Sequence, residues 1–190
     1  MPAPALKPLL IEEFLDWDSG DERRYELVDG VPVAMSAPSG AHQIIAVNFG
    51  RRLAEALDER PPCSARAETP IAVVDRDDVC HVADLAITCH AHEPGQRLLP
   101  DPLVVIEILS PSTENKDRKV KLPDYRAIPS VREIVLIDQQ QLYCEVHRRQ
   151  DDGRWLTDLL RRSNARLELE SIGFDEPLSV LYTHVVFEEE

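Results

Sequence analysis

The sequence lacks the features of a membrane-bound or exported protein. No apolar run in its 190 residues approaches the roughly 20 residues that a membrane-spanning helix requires. The N-terminal segment carries Glu12, Glu13 and Asp16, where a secretory signal would have an uninterrupted apolar stretch. We therefore expect a cytoplasmic protein that does not associate with membranes. Its length fits one domain over residues 1–190, large enough to bury a hydrophobic core.

Cysteine spacing typical of a metal site or a disulfide framework is also absent. None of the four cysteines belongs to a C-x-x-C pair: Cys63, Cys80, Cys89 and Cys144. In a reducing compartment such cysteines are ordinarily buried free thiols, and we predict that state for all four. Histidines stand beside two of them, at His81 and His90, but their spacing does not match a known zinc site. Zinc is therefore not predicted.

A positive net charge is missing as well. Asp and Glu number 35 against 21 Lys and Arg, so the net charge is −14. Because a nucleic-acid-binding protein usually presents a basic field, this balance counts against such a partner. A global sum does not describe a local site, however. The stretch Glu114–Arg126 carries five cations against three acids, and it is either a solvated helix face or an edge that faces a phosphate.

Apolar periodicity and turn residues predict an α+β (mixed α/β) protein. The clearest signals are a two-residue turn at Asp29-Gly30, a helix N-cap at Ser39 and a helix stop at Pro61-Pro62. Helices are predicted over 7–17, from Ser39 toward Pro61, in the charged stretch toward Tyr125, and as a turn near 177–183. Strands are predicted as a hairpin over 25–35, at about 66–75, 80–89 and 103–109, as a second hairpin over 131–138 and 141–149, and at about 153–161 and 165–170. This order indicates a central mixed β-sheet flanked by helices.

Two carboxylates interrupt the most apolar predicted strands. Glu107 lies within Leu103–Leu109 among six large apolar residues, and Asp84 lies within Val82–Ile87. Burial of an unpaired carboxylate costs at least several kcal/mol, so such a group is paired, protonated or coordinated. Each acid alone could cap a strand end or pair with an arginine. Two of them on two core strands predict a shared cation, and oxygen ligands of this kind suit Mg²⁺ or Mn²⁺.

The segments around these acids resemble a known protein family. Asp84 and Glu107 stand 23 positions apart, and Glu107 opens the motif E-I-L-S-P-S-T, followed by D-R-K-V-K-L-P-D-Y-R-A-I-P-S-V-R-E-I-V-L-I-D. Upstream, Y-E-L-V-D-G at 25–30 and M-S-A-P-S at 35–39 extend the similarity. The sequence resembles the bacterial Uma-two family of restriction-endonuclease-like proteins, within the PD-(D/E)XK nuclease superfamily. The similarity covers roughly residues 10–150.

The resemblance implies a restriction-endonuclease-like core and a metal-dependent phosphodiester hydrolase, an endonuclease acting on nucleic acid. DNA is the expected substrate, although the residues do not distinguish DNA from RNA. Asp84 and Glu107, with the backbone carbonyl of Ile108, match the ligands of Mg²⁺ or Mn²⁺. Lys121 matches the superfamily lysine moved to the following helix, because Leu109 occupies the usual lysine position. Its implied role is to orient or deprotonate the attacking water and to stabilise the phosphate charge.

Two further residues are carried over with less defined roles. Glu26 matches an additional acid of the family, which would complete the metal shell or hold a second metal. His42 either lines the site or only begins a helix. Since cleavage of both strands of a duplex needs two sites, a homodimer is expected.

A non-catalytic alternative stays open. The protein could be a binding or assembly module that keeps the nuclease fold without turnover. The acidic net charge favours this alternative, and so do two departures from the superfamily pattern: Ala83 replaces a proline, and Pro123 follows Lys121 within the predicted helix.

Overall fold

The structure is a computed structural model that describes residues 7–187. Its helices are α1 (Ile11–Leu15), α2 (Gly40–Leu57), α3 (Glu114–Lys116), α4 (Leu122–Ala127) and α5 (Leu178–Leu181), with a π-helical turn at Asp117–Lys121 between α3 and α4. Its strands are β1 (Tyr25–Val28), β2 (Val31–Ala34), β3 (Ser64–Ala72), β4 (Cys80–Thr88), β5 (Pro102–Leu109), β6 (Glu133–Asp138), β7 (Cys144–Arg149), β8 (Trp155–Leu160), β9 (Arg166–Leu169) and β10 (Phe174–Pro177).

One eight-stranded mixed sheet organises the protein. Its strands follow the order β2-β1-β4-β5-β6-β7-β8, and β3 pairs with β4 off this path. The β5–β6 pair is parallel, and the other pairs in this sheet are antiparallel. A separate two-stranded ladder joins β9 to β10. The predicted α+β class, with a central mixed sheet flanked by helices, is confirmed.

Each face of the sheet is covered by a different helical layer. On one face, Ile45, Phe49 and Leu53 of α2 are buried against apolar residues of β4 to β7. On the other face, Leu122 and Tyr125 of α4 belong to a second apolar cluster that includes residues of β5 and β6. Because β5 is covered on both sides, its sequence is a nearly continuous apolar run, as expected for a central strand. Glu107 lies in that run.

The strongest local signals of the sequence produce the predicted structure. Asp29 and Gly30 have φ angles of 50° and 75°, the left-handed backbone that a two-residue hairpin turn requires. A Cβ added to Gly30 would lie 2.5 Å from Cβ of Pro8, so this position also needs glycine for space. The hydroxyl of Ser39 accepts a hydrogen bond from the backbone N–H of His42 at 3.1 Å, so Ser39 is the predicted N-cap of α2.

Some boundaries differ from the prediction. The first helix spans only Ile11–Leu15, because Pro8 and its neighbours instead pack beside the hairpin turn, where Leu9 N–H bonds the carbonyl of Gly30. Strand β10 was not predicted, since it is four residues long and ends in a proline. Among the described residues, no helix is long and apolar enough to cross a membrane.

The prediction of four free thiols is wrong for two of them. Cys63 and Cys89 form a disulfide, whereas Cys80 and Cys144 are free and buried. The reason lies in strand register: Ser64 of β3 pairs with Thr88 of β4, so the residue before one strand lies beside the residue after the other. Sequence spacing alone could not show this proximity.

Candidate active site

A cavity of about 460 Å³ opens where β4, β5, the start of α2 and the π-helical turn meet. All of the residues predicted to form the site line this cavity: Glu26, His42, Asp84, Glu107, Ile108 and Lys121. Its remaining polar lining includes Arg24, Ser39, Lys116, Asp117 and Gln139. The fold therefore brings together residues that lie up to 115 positions apart in the chain, from Arg24 to Gln139.

Asp84 and Glu107 lie on neighbouring strands. Leu85 of β4 pairs with Ile106 of β5, so Asp84 and Glu107 are the next residues along this antiparallel ladder. One carboxylate oxygen of Asp84, Oδ2, accepts a hydrogen bond from the backbone N–H of Ile108 at 2.7 Å. The other, Oδ1, lies 3.2 Å from Nε2 of His42. His42 thus reaches the site in addition to standing in the first turn of α2.

Glu107 is almost fully buried, with 2% of its surface exposed. Its Oε1 accepts hydrogen bonds from the hydroxyl of Tyr125 at 2.6 Å and from Nζ of Lys121 at 3.1 Å. We find no hydrogen bond to Oε2 within the described part of the chain. Burial raises the pKa of Glu107 to about 8; the positive charge of Lys121 opposes this shift, and the neighbouring Asp84 adds to it.

Lys121 is the centre of the polar network. Its Nζ lies 2.7 Å from Oε1 of Glu26 and 3.1 Å from Oε1 of Glu107, and it donates to the carbonyl of Val82 at 3.0 Å. Burial by itself lowers a lysine pKa, but the surrounding carboxylates, Glu107 and Glu26 first, raise the pKa of Lys121 above its ordinary value. The group is therefore an ammonium ion, and its three donors all have acceptors.

Glu26 differs from Glu107 in the direction of its pKa shift. Burial acts to raise the pKa of Glu26, but the positive charges of Lys121 and Lys116 outweigh burial. The net result is a pKa lowered to about 2. Its Oε1 also accepts the backbone N–H of Val82 at 2.9 Å, while Oε2 pairs with Lys116. Both oxygens of this carboxylate are thus occupied by protein donors.

Two residues of this network, Asp117 and Tyr125, were not predicted from the sequence. Oδ1 of Asp117 lies 3.7 Å from Nζ of Lys121, and the hydroxyl of Tyr125 holds Glu107. A signal was present, because positions 117, 121 and 125 are four apart and such residues share one helix face. Pro123 does not interrupt this arrangement, since it lies in the first turn of α4, where a missing N–H is tolerated.

The donor set suits a hard divalent cation. Two carboxylates, of Asp84 and Glu107, and backbone oxygens are the ligands that Mg²⁺ and Mn²⁺ prefer, because these ions keep several waters and take few protein groups. Within residues 7–187 no group of three or more His, Cys, Asp or Glu side chains is arranged to enclose a metal ion. An all-protein cage is thus not present in the described chain, and Asp84 and Glu107 are the residues that could hold a partly hydrated ion.

Comparison with known proteins supports the same fold and family. Two uncharacterized proteins of Synechocystis sp. are similar to this chain, one 29% identical over 98% of this chain and 96% of its own length. The other is 25% identical over 85% of this chain and 93% of its own length. Among solved structures, a crystal structure described as a "putative nuclease belonging to DUF820" from Anabaena variabilis has a TM-score of 0.76.

That structural neighbour is 21% identical, and the match covers 94% of this chain and 100% of the neighbour, so the two share a fold. The family model described as "Uma2: Putative restriction endonuclease" matches residues 11–179, which includes every residue that lines the cavity. The chain belongs to this Uma2 family.

Proposed function

We propose that the protein is a metal-dependent phosphodiester hydrolase that acts as an endonuclease on DNA. The observation that carries this proposal is the convergence of Asp84, Glu107 and Lys121 on one open cavity. Membership of a family described as restriction endonucleases gives the proposal its reaction class.

In this proposal Asp84, Glu107 and the backbone carbonyl of Ile108 hold Mg²⁺ or Mn²⁺. When bound, such an ion lowers the pKa of a coordinated water and neutralises charge on the phosphate oxygens. Oε2 of Glu107 is the oxygen without a protein donor in the described chain, so it is the one we assign to the ion. The Ile108 N–H and His42 orient the carboxylate of Asp84 from two sides.

In this proposal Lys121 acts through its positive charge and not as a general base. Its pKa is raised, so it carries a proton at neutral pH and cannot accept one from water. We therefore assign it to stabilisation of the charge that builds on the phosphate in the transition state. Glu26, whose two oxygens are occupied by Lys116 and Lys121, holds these two ammonium groups beside the cavity. We propose this role in place of the two that the family resemblance implies for Glu26, completion of the metal shell or binding of a second metal.

A second candidate function is a nuclease-fold binding or assembly module without turnover. One observation favours it: all three donors of Lys121 already have acceptors within the protein. A phosphate could then be contacted only if one of these bonds is exchanged. The module alternative predicts binding of a partner in the absence of any hydrolysis.

Nicking of supercoiled plasmid separates the two candidates. Wild-type protein with Mn²⁺ or Mg²⁺ should convert supercoiled to open-circular DNA, and excess EDTA should stop the reaction. Asp84→Asn should be inactive, because it removes charge from an ion ligand while keeping the side-chain shape. Glu55→Gln, on the exposed surface of α2, is the matched control and should cleave as the wild type does. A wild type that cleaves neither DNA nor RNA in any divalent metal would support the module alternative.

The homodimer belongs to this proposal as well. A duplex presents two antiparallel strands, so two sites related by a twofold axis can cut both. Sedimentation equilibrium should give a mass of about twice the 21.5 kDa chain. A monomer that cuts both strands of a linear duplex would contradict the dimer but leave the hydrolase proposal intact.

A further inference from the structure

The positive charge of the chain is concentrated in one segment. Residues 118–166 contain eleven Lys and Arg against seven Asp and Glu, a local net charge of +4 in a chain of −14. This segment includes α4, β6, β7 and β8. The negative net charge of the chain therefore conceals a basic region. This region begins in the π-helical turn that contributes Lys121 to the cavity.

Four arginines of this segment and two aromatic rings form a surface on the same side of the sheet as the candidate site. We call it the β7–β8 shelf and define it by six residues: Arg118, Arg126, Tyr143, Arg149, Trp155 and Arg161. On β7, Cys144 and Val146 point into the core under α2, so the alternate residues face the other side. Trp155 packs against the apolar cluster that contains Tyr125, which places the shelf on the side of α4.

Arginine planes lie over the aromatic rings of the shelf. The guanidinium carbons of Arg149 and Arg126 lie 4.8 Å and 5.5 Å from the ring centroid of Trp155. The guanidinium carbon of Arg161 lies 5.3 Å from the ring centroid of Tyr143. Such flat cationic and aromatic groups bind phosphates and stack on bases without selecting a sequence.

The shelf begins at the wall of the cavity. Lys116 and Lys121 line the cavity, whereas Arg118, between them in the chain, extends to Glu145 of β7 at 2.6 Å. Glu145 is the acid in the middle of the shelf, and Arg118 and Tyr143 both donate to its Oε1. Arg118 thereby offsets the charge of Glu145, and the shelf keeps the positive charges of Arg126, Arg149 and Arg161.

We infer that the β7–β8 shelf binds the phosphate backbone of a nucleic acid on one side of the bond held in the cavity. This inference rests on the proposed function, because it takes the cavity to hold a phosphodiester. Charge complementarity selects the occupant: a polyanion fits a surface with four arginines, and the rings favour one that carries bases. The shelf also explains how an acidic protein can bind DNA.

The test measures binding without cleavage. Anisotropy of a fluorescent DNA duplex is recorded in EDTA over a range of salt concentrations, with wild type and the double variant Arg126→Ala/Arg161→Ala. Each lost phosphate contact should reduce the slope of log K against log salt by about 0.9, so the double variant should lose roughly 1 to 2. Arg51→Ala/Arg166→Ala is the matched control, because these exposed arginines lie on α2 and β9, on the other side of the sheet.

Several outcomes would overturn the inference. They are a wild type that does not bind DNA, a shelf variant with the wild-type slope, and competition by polyglutamate as effective as competition by DNA at equal charge. Arg161→Glu, a single change at an exposed site, repeats the test if the double variant does not fold. Cleavage tests the proposed function separately. Binding that depends on the shelf, without cleavage, supports the shelf inference alone. Cleavage with unchanged DNA binding in the shelf variants supports the hydrolase proposal alone.

Discussion

Nζ of Lys121 lies 3.1 Å from Oε1 of Glu107, and both side chains are nearly excluded from water. Neither group would be stable there alone, because a buried charge without a partner costs several kcal/mol. Glu26 and Asp117 supply further negative charge to the lysine, and Tyr125 supplies a neutral donor to Glu107. The pair therefore depends on the whole network, and each member can be tested separately.

Tyr125→Phe removes the hydroxyl that donates to Glu107 and leaves the ring in place. Since the Glu107 side chain loses a buried hydrogen bond at 2.6 Å, the free energy of unfolding should fall by about 1–3 kcal/mol. Urea unfolding at neutral pH measures this loss. Tyr143→Phe is the control, because its hydroxyl donates to Glu145 from a partly exposed ring, and its loss should cost less. Equal stability of Tyr125→Phe and wild type would contradict the assigned role of the hydroxyl.

Millimolar Mg²⁺ or Mn²⁺ should raise the melting temperature of the wild type. A ligand that binds only the folded state stabilises it by mass action, by about 2.7 kcal/mol at 100 times the Kd. Glu107→Gln should abolish the shift, since it removes the carboxylate assigned to the ion. Glu55→Gln should keep it. A shift of the same size in Glu107→Gln would mean that the metal binds elsewhere on the acidic surface.

Glu145 should make stability depend on pH in the acid range. Burial acts to raise the pKa of Glu145, but hydrogen bonds from His147, Tyr143 and Arg118 outweigh burial. The net result is a pKa lowered to about 2. The folded pKa lies below the ordinary value of 4.5, so this stabilisation is present above about pH 4.5 and is lost as the pH falls toward 2. The difference in unfolding free energy between wild type and Glu145→Gln should therefore shrink over that range. A difference that stays constant from pH 6 to about 2 would contradict this.

Much of the fold could be predicted because its signals are local. The Asp29-Gly30 turn, the Ser39 N-cap and the apolar run of β5 each follow from a few adjacent residues. Glu107 was identifiable for a related reason: a single acid among large apolar residues is costly unless it has a partner. The family resemblance then selected Lys121 from five neighbouring cations.

The remaining features depend on contacts between distant segments. The disulfide requires the register of β3 against β4, which neither strand specifies alone. Tyr125 received no role from the sequence, since its bond to Glu107 exists only once α4 packs on β5. The ion pairs of Glu26 form with Lys116 and Lys121, which lie on another element about 90 positions further along the chain. Spacing within one segment can place Lys121 and Tyr125 on one helix face, but it does not identify their partners on other elements.

The charge state of Lys121 bears most directly on catalysis. A preorganised positive group beside the phosphate acts mainly in the transition state, so its removal lowers turnover more than substrate affinity. Loss of such a contact typically costs on the order of a hundredfold in rate. Lys119, two residues away and exposed, offers a matched lysine outside the cavity lining.

The most direct measurement is the rate of Mn²⁺-dependent plasmid nicking by wild type, Lys121→Ala and Lys119→Ala at matched salt, with folding checked by thermal melting. We expect wild type and Lys119→Ala to cleave at similar rates and Lys121→Ala to be slower by on the order of a hundredfold. Cleavage by Lys121→Ala at the wild-type rate would contradict the assigned site, and no cleavage by the wild type in any divalent metal would contradict the hydrolase itself.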